Sequence, residues 1–262
     1  MIKPRAIGVH REVKKAGKPE SDRMILRATA KSLRQMGVSV SLSHPEKLKP
    51  GKKVNVIFTM ARTPQVHKIL EEYSRRGVGI VNSPRAVADS LNRRLSYERL
   101  KKAGIPIPET KFVKIAAIKP EKMKGKFIFK RPDRHEFTVV VSNPQEINNA
   151  LAGYKKQGLK EIVLQRFVEG THVKFYAIGE KVFLPEEIEK SVGNELLEKI
   201  REYAMKSGLV SGLKVFGGDM IVSGKKAFVV DLNDWPSFSS IREKAASDIA
   251  ELIYKEQAER KQ

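Results

Sequence analysis

The chain is 262 residues long, 40% hydrophobic and 31% charged, with no cysteine and a formal charge of +21. Such a length and apolar fraction give a globular chain with room for one large or two to three small packed units, and the lack of cysteine excludes disulfides, thiolate catalysis and Cys-ligated zinc or iron–sulfur centres. The charge is uneven: residues 1–110 carry 24 Lys and Arg against 9 Asp and Glu, a net of +15, and residues 111–262 carry 27 against 21, a net of +6, so the first part attracts polyanions or phosphorylated small molecules.

In chain order, Arg5 to His10 reads as a strand, followed by a basic loop through Pro19 and a helix opened by Ser21 and stopped by Gly37. Val54 to Met60 is a buried strand, a helix runs from about Pro64 to Arg76, and Val78 to Val81 is a short strand. Strands alternating with helices predict a parallel α/β layer over residues 1–82. Asn82-Ser83-Pro84 starts a helix, with Ser83 as cap and Pro84 in the first turn, and a second helix runs from about Arg93 to Ala103. The middle changes character: Phe127 to Lys130, Phe137 to Val141, Glu161 to Gln165 and His172 to Ile178 are strands, with one helix after Pro144, giving a mostly antiparallel α+β unit. A helix from about Asn194 to Ser207, a hairpin and a closing helix from about Ile241 complete the chain.

No apolar run approaches the roughly 18 residues of a membrane span, and Met1-Ile2-Lys3-Pro4-Arg5 lacks a signal-peptide core. The expectation is a cytoplasmic protein that does not engage a membrane. Zinc-finger spacing, a paired-aromatic RNA signature and a long basic helix are missing, and aromatics are only 7%. Nucleic acid is therefore a less favoured partner than an anionic small molecule, and the oligomeric state is left open.

The final hairpin carries the most specific signal. Asp219 in Gly217-Gly218-Asp219-Met220 and Asp231 in Val229-Val230-Asp231-Leu232-Asn233 lie on strands joined around Ser223-Gly224-Lys225-Lys226, nearly opposite each other, with Asn233 on the face of Asp231. Opposed side chains on antiparallel strands have β-carbons only about 4.5–5.5 Å apart, where two carboxylates destabilise a sheet unless something neutralises them. Two carboxylates and an amide oxygen are a hard-donor set suited to Mg²⁺. Trp235-Pro236 must then end the strand in a shaped loop.

Asn82-Ser83-Pro84, Asn92 to Tyr97, Ala103 to Thr110, Phe129-Lys130-Arg131-Pro132, Val163 to Gly170 and the Asp219, Asp231-Leu232-Asn233 set follow one another in an order that resembles the ATP-grasp superfamily, from about residue 82 to the end. The resemblance implies ATP and Mg²⁺ held between a central and a C-terminal subdomain. The corresponding division is a basic N-terminal α/β unit at 1–82, a central ATP-grasp subdomain with connecting helices at 83–170, and a C-terminal subdomain with the metal site at 171–262. By the same resemblance Asp219, Asp231 and Asn233 are metal ligands. Lys130, Lys174 and Arg93 face nucleotide phosphates, Lys130 with the adenine as an alternative, and Arg93 stands where the family usually has lysine. Gln165 to Phe167 form the adenine hinge, and His172 occupies the ribose position usually held by an acid. The phosphate loop departs from the family: Asp133-Arg134-His135-Glu136-Phe137 has no glycine, so side chains such as Arg134 and His135 replace bare amides.

Within the superfamily the nearest likeness is to inositol-phosphate kinases, through the loop histidine His135, the Lys14-Lys15 pair and the Asp231 to Phe238 ending. That likeness implies phosphoryl transfer from ATP to a hydroxyl of an anionic small molecule, a phosphorylated cyclitol or sugar. Arg11, Lys14, Lys15, Ser237 and Ser239 would contact the substrate, with His135 and Lys174 as catalytic groups. The alternative is a carboxylate–amine ligase working through an acylphosphate. A third reading is a nucleic-acid-binding protein with a decayed ATP site.

Overall fold

The structure, a computed structural model, describes residues 3–12, 19–133 and 137–259. Strands β1 (Arg5–Val9), β2 (Ser39–Ser43), β3 (Val56–Thr59) and β4 (Gly79–Val81) form a parallel sheet in the order β2-β1-β3-β4. Its crossover helices are α1 (Pro19–Gln35) and α2 (Pro64–Arg75). Both faces are covered, as parallel sheets require: Leu26 and Leu33 of α1 pack with Ala6 and Phe58, and Val66 and Leu70 of α2 pack with Ile7 and Ile57.

Two helices follow, α3 (Pro84–Leu91) and α4 (Arg93–Lys102). Ser83 caps the first by accepting from the Ala86 N–H and Asn92 caps the second by accepting from Leu95, each satisfying an otherwise orphaned donor. The central sheet comprises β5 (Thr110–Lys114), β6 (Phe127–Lys130), β7 (Thr138–Val141) and, after α5 (Pro144–Lys156), β8 (Glu161–Arg166), in the antiparallel order β5-β8-β6-β7. The last sheet takes β9 (Thr171–Ile178), β10 (Lys181–Phe183) and, after α6 (Glu186–Ser191) and α7 (Asn194–Ser211), the hairpin β11 (Val215–Ser223) and β12 (Lys226–Asp234). Its order is β10-β9-β11-β12, all antiparallel, and α8 (Arg242–Glu259) closes the chain.

The molecule is thus mixed α/β and α+β, with one parallel and two antiparallel sheets. The strand at 172–178, taken in chain order with the central strands but assigned by the division at 170 to the C-terminal subdomain, pairs with β10 and β11. The chain leaves the central sheet at Gly170, where a β-carbon would stand 2.2 Å from the Val222 carbonyl oxygen. Strands β2, β5 and β10 had no counterpart in the expected elements. Among the described residues, no helix is long and apolar enough to cross a membrane.

The cores are shared unequally. Ile25, Leu26 and Phe58 of the N-terminal layer belong to one cluster with Tyr176, Val215 and Trp235 of the C-terminal sheet and with Ile249 and Ile253 of α8. The central sheet has its own cluster around Phe129, Ile147, Tyr154 and Ile162.

Candidate active site

In the hairpin, Asp219 stands opposite Asp231 and Gly217 opposite Asn233. The register then shifts: Met220 faces Val229, leaving Val230 as an extra residue on β12. This bulge sets the site. Ala227 and Val229 are buried, and strict alternation from them would turn Asp231 and Asn233 into the core as well. One inserted residue reverses the phase, so that Leu232 is buried while Asp231 and Asn233 are only partly covered. The Val230 carbonyl becomes an acceptor for side chains outside the sheet.

The acids already have counter-ions. Lys174, opposite Asp219 on β9, brings its Nζ within 3.2 Å of Oδ1, and His172 Nε2 lies 3.0 Å from the same oxygen. Arg93 Nη1 donates to Asp231 Oδ1 at 3.0 Å. Burial opposes the Arg93 charge, but Asp231 and then Tyr97 outweigh it and hold its pKa above the usual range. Facing carboxylates were expected to need a neutralising group, and basic side chains stand against both. Among the described residues no group of three or more His, Cys, Asp and Glu is arranged as a metal site. The donor set depends on the Asn233 amide beside two carboxylates, and its all-oxygen chemistry suits Mg²⁺.

Lys130, at the end of β6, is buried and donates to the Val230 carbonyl at 2.8 Å and to the Tyr97 hydroxyl at 3.3 Å. Tyr97 donates to Val230 O at 3.2 Å and accepts from Arg93 at 3.3 Å. Tyr97 thus joins α4, the central sheet and the hairpin. Sequence reasoning passed over it, although its spacing of four from Arg93 puts both on one face of a helix. Tyr97→Phe is expected to cost about 1–2 kcal/mol of stability, the range for removing a buried hydrogen-bonding group. Urea unfolding of the two proteins checks it.

At the expected hinge, the Gln165 side chain is buried and donates to Thr110 Oγ1 at 2.9 Å, and the residue lies on β8 between Thr110 of β5 and Ile128 of β6. The Arg166 and Phe167 N–H groups are engaged by the carbonyls of Glu109 and Lys126, at 2.8 and 3.0 Å, and Lys126 Nζ sits 3.9 Å above the Phe167 ring. Arg131 pairs with Asp133 and donates to Gln157 Oε1 at 2.6 Å. His135, Arg134, Lys14 and Lys15 lie outside the described residues.

Arg11, expected against substrate phosphates, is committed to the protein. It donates to Asp22 at 2.7 Å and to the Trp235 carbonyl at 2.9 Å, and lies 4.0 Å from Asp234, which also pairs with Arg62. Glu12 accepts from the Arg62 and Thr63 backbone N–H groups. Burial, then Arg62, holds the Arg11 pKa below its ordinary range. At Arg62 burial acts the same way, but Asp234 outweighs it and the pKa is raised. This network fixes the end of β12 and the following loop to the N-terminal layer. In that loop Trp235 and Phe238 have φ of 38° and 48° and are fully buried, against Phe58 and Tyr176 respectively. Ser237 is half-buried and Ser239 exposed. Asp234 and Arg62 gave no sequence signal, since their pairing spans 172 residues.

No protein-family model matches the chain. Probable alpha-L-glutamate ligases from Vibrio atlanticus (strain LGP32) and Shewanella loihica (strain ATCC BAA-1088 / PV-4) are 22% and 23% identical to it over 214 residues, covering 71% of this chain and 69% of each relative. A D-alanine–D-alanine ligase from Bacillus anthracis superposes with a TM-score of 0.78 at 12% identity, covering 98% of this chain and 99% of that one. A RimK domain ATP-grasp protein from Sphaerobacter thermophilus DSM 20745 superposes at 0.74 and 14%, covering 95% and 99%.

Proposed function

Starting from a chain with the ATP-grasp fold, we propose that it is an ATP- and Mg²⁺-dependent enzyme that joins a carboxylate to an amine through an acylphosphate. One geometric observation carries the ATP site: Lys130 and Arg93 reach the Asp219–Asp231 hairpin from the central sheet and α4, at the bulge that exposes its acids. Likeness in sequence and fold to proteins named as ligases moves the acceptor from a hydroxyl, the leading expectation, to a carboxylate.

In this reading Asp219, Asp231 and Asn233 hold Mg²⁺, which when bound offsets charge on the nucleotide phosphates. Lys130, Lys174 and Arg93 add fixed positive charge around the transferring phosphoryl group. A substrate carboxylate oxygen attacks the γ-phosphorus, the bond to the bridging oxygen breaks, and ADP leaves. A neutral amine then attacks the acyl carbon, phosphate departs with the carbon–oxygen electron pair, and the surplus proton on nitrogen passes to the departing phosphate. Lys174 and His172 are more than half exposed, so burial does not hold either of them against Asp219. His135, the loop histidine, is proposed beside the acceptor, and Ser237 and Ser239 beyond the metal end of β12.

The test is a panel of dicarboxylic acids and acidic peptides with ATP and Mg²⁺, with and without L-glutamate, the amine that the relatives' name suggests. The expected result is ADP release that depends on the amine, a product heavier by one glutamyl residue, and a hydroxamate when hydroxylamine replaces the amine. A stable phosphate ester formed without amine would return the acceptor to a hydroxyl.

A further inference from the structure

All four N-terminal strands are parallel, so their carboxyl ends share one edge, where Arg11 and Arg62 meet the β12 loop, and their amino ends share the opposite edge. Two adjoining clefts of about 320 and 660 Å³ open at that opposite edge. Lys3, Arg5, Lys52, Lys53 and Arg76 line them, Arg5, Lys52 and Lys53 facing both, and no acid among the described residues lines either.

The loop that presents the two lysines is held in place. The Tyr73 hydroxyl donates to the Lys49 carbonyl at 2.8 Å and accepts from the Lys52 N–H at 3.1 Å, while Gly51 makes the turn at φ 93°. None of the five cations has an acidic partner among the described residues. The contrast with the C-terminal helices is direct: Lys190, Lys199 and Lys206 each sit one turn from a paired glutamate, and Arg201 and Lys214 pair with Glu189 and Glu256. A uniformly basic but self-compensated surface would not leave five cations together.

We propose that this edge is a docking surface for the phosphodiester backbone of a nucleic-acid duplex, separate from the ATP site. Ser39, Ser41 and Asn55 beside the cations complete a set of donors of the kind that contact phosphates. Tyr73, the aromatic residue among the described ones at the clefts, is buried with its hydroxyl engaged, so these residues give no platform for stacking single-stranded bases. Among the described residues that line it, no large apolar side chain is exposed for insertion into a bilayer. Recognition is therefore of charge and spacing, independent of sequence.

The test measures fluorescence anisotropy of short RNA and DNA duplexes with the full chain across about 50–200 mM salt. Wild type is expected to bind with an affinity that falls steeply with salt, by about 0.9 log units per log unit of salt for each DNA phosphate neutralised. The five-site serine variant at Lys3, Arg5, Lys52, Lys53 and Arg76 should lose at least about tenfold in affinity and several units of slope, with ATP turnover unchanged. Lys52→Glu with Lys53→Glu, confined to the loop, should give a loss in the same direction should the larger variant misfold. The RNA and DNA arms distinguish the source of the backbone. Equal binding by wild type and the loop variant would overturn the proposal. So would an equal loss on replacing the exposed Lys101, Lys102, Lys119, Lys122 and Lys124, or tighter binding of polyglutamate or anionic phosphatidylserine vesicles at the same salt.

Discussion

Replacing Asp234 with alanine is expected to lower stability by about 3–5 kcal/mol, the cost of removing one partner from a buried ion pair. The carboxylate is 1% exposed and stands between Arg62 and Arg11, both of which remain charged because arginine does not deprotonate at accessible pH. The variant therefore leaves two guanidinium groups facing each other across a small void, with Asp22 and Glu12 to offset part of the charge. Chemical denaturation measures the loss. A change below about 1 kcal/mol, the scale of an exposed pair, would show that the network contributes little. The same substitution should raise the KM for the substrate, since Trp235 and the loop after it hang from these contacts.

Asp219→Asn is expected to reduce turnover by about 10²–10³-fold, the scale seen when one charge-stabilising group is lost from a transition state, and to raise the Mg²⁺ concentration needed for half-maximal rate. Its stability should change by less than about 1 kcal/mol, because Lys174 and His172 are more than half exposed and such pairs contribute little. Initial rates across a magnesium series, together with thermal unfolding, separate the two effects. Full activity with an unchanged magnesium requirement would remove Asp219 from the site. Asp231→Asn is a poorer test, as it also takes the counter-ion from buried Arg93.

The acids were legible because alternation in a hairpin is a period that residues declare locally, and the Asp219–Asp231 register follows it. The bulge was not: Val229-Val230-Asp231 reads equally well with either valine inward, and the choice is made by the core under Ala227 and Leu232. The strands that escaped notice, β2, β5 and β10, are all sheet edges. An edge strand is paired on one side and blunted with polar residues, so Thr110 to Lys114 shows no clean period, whereas Ser39 to Ser43 does alternate as Ser-Val-Ser-Leu-Ser and was a legible signal passed over. Arg11 was visible as a basic residue after a strand, but what it faces depends on a loop more than 200 positions away. Local pattern supplies residue type and parity, whereas long-range pairing decides employment.

The core that joins the N-terminal layer to the C-terminal sheet has a mechanical consequence. Ile25, Phe58, Trp235 and Ile249 interlock across that junction, and interiors packed at such density do not slide freely. The central sheet keeps its own interior around Phe129 and Ile147, and meets the C-terminal sheet through Val163 and Phe112, which pack with Phe175 and Val229, as well as through the Lys130 to Val230 hydrogen bond. Any widening of the gap between them is then a rocking of that one jaw against a single anvil, and it must part the Val163 seam as well as the Lys130 latch.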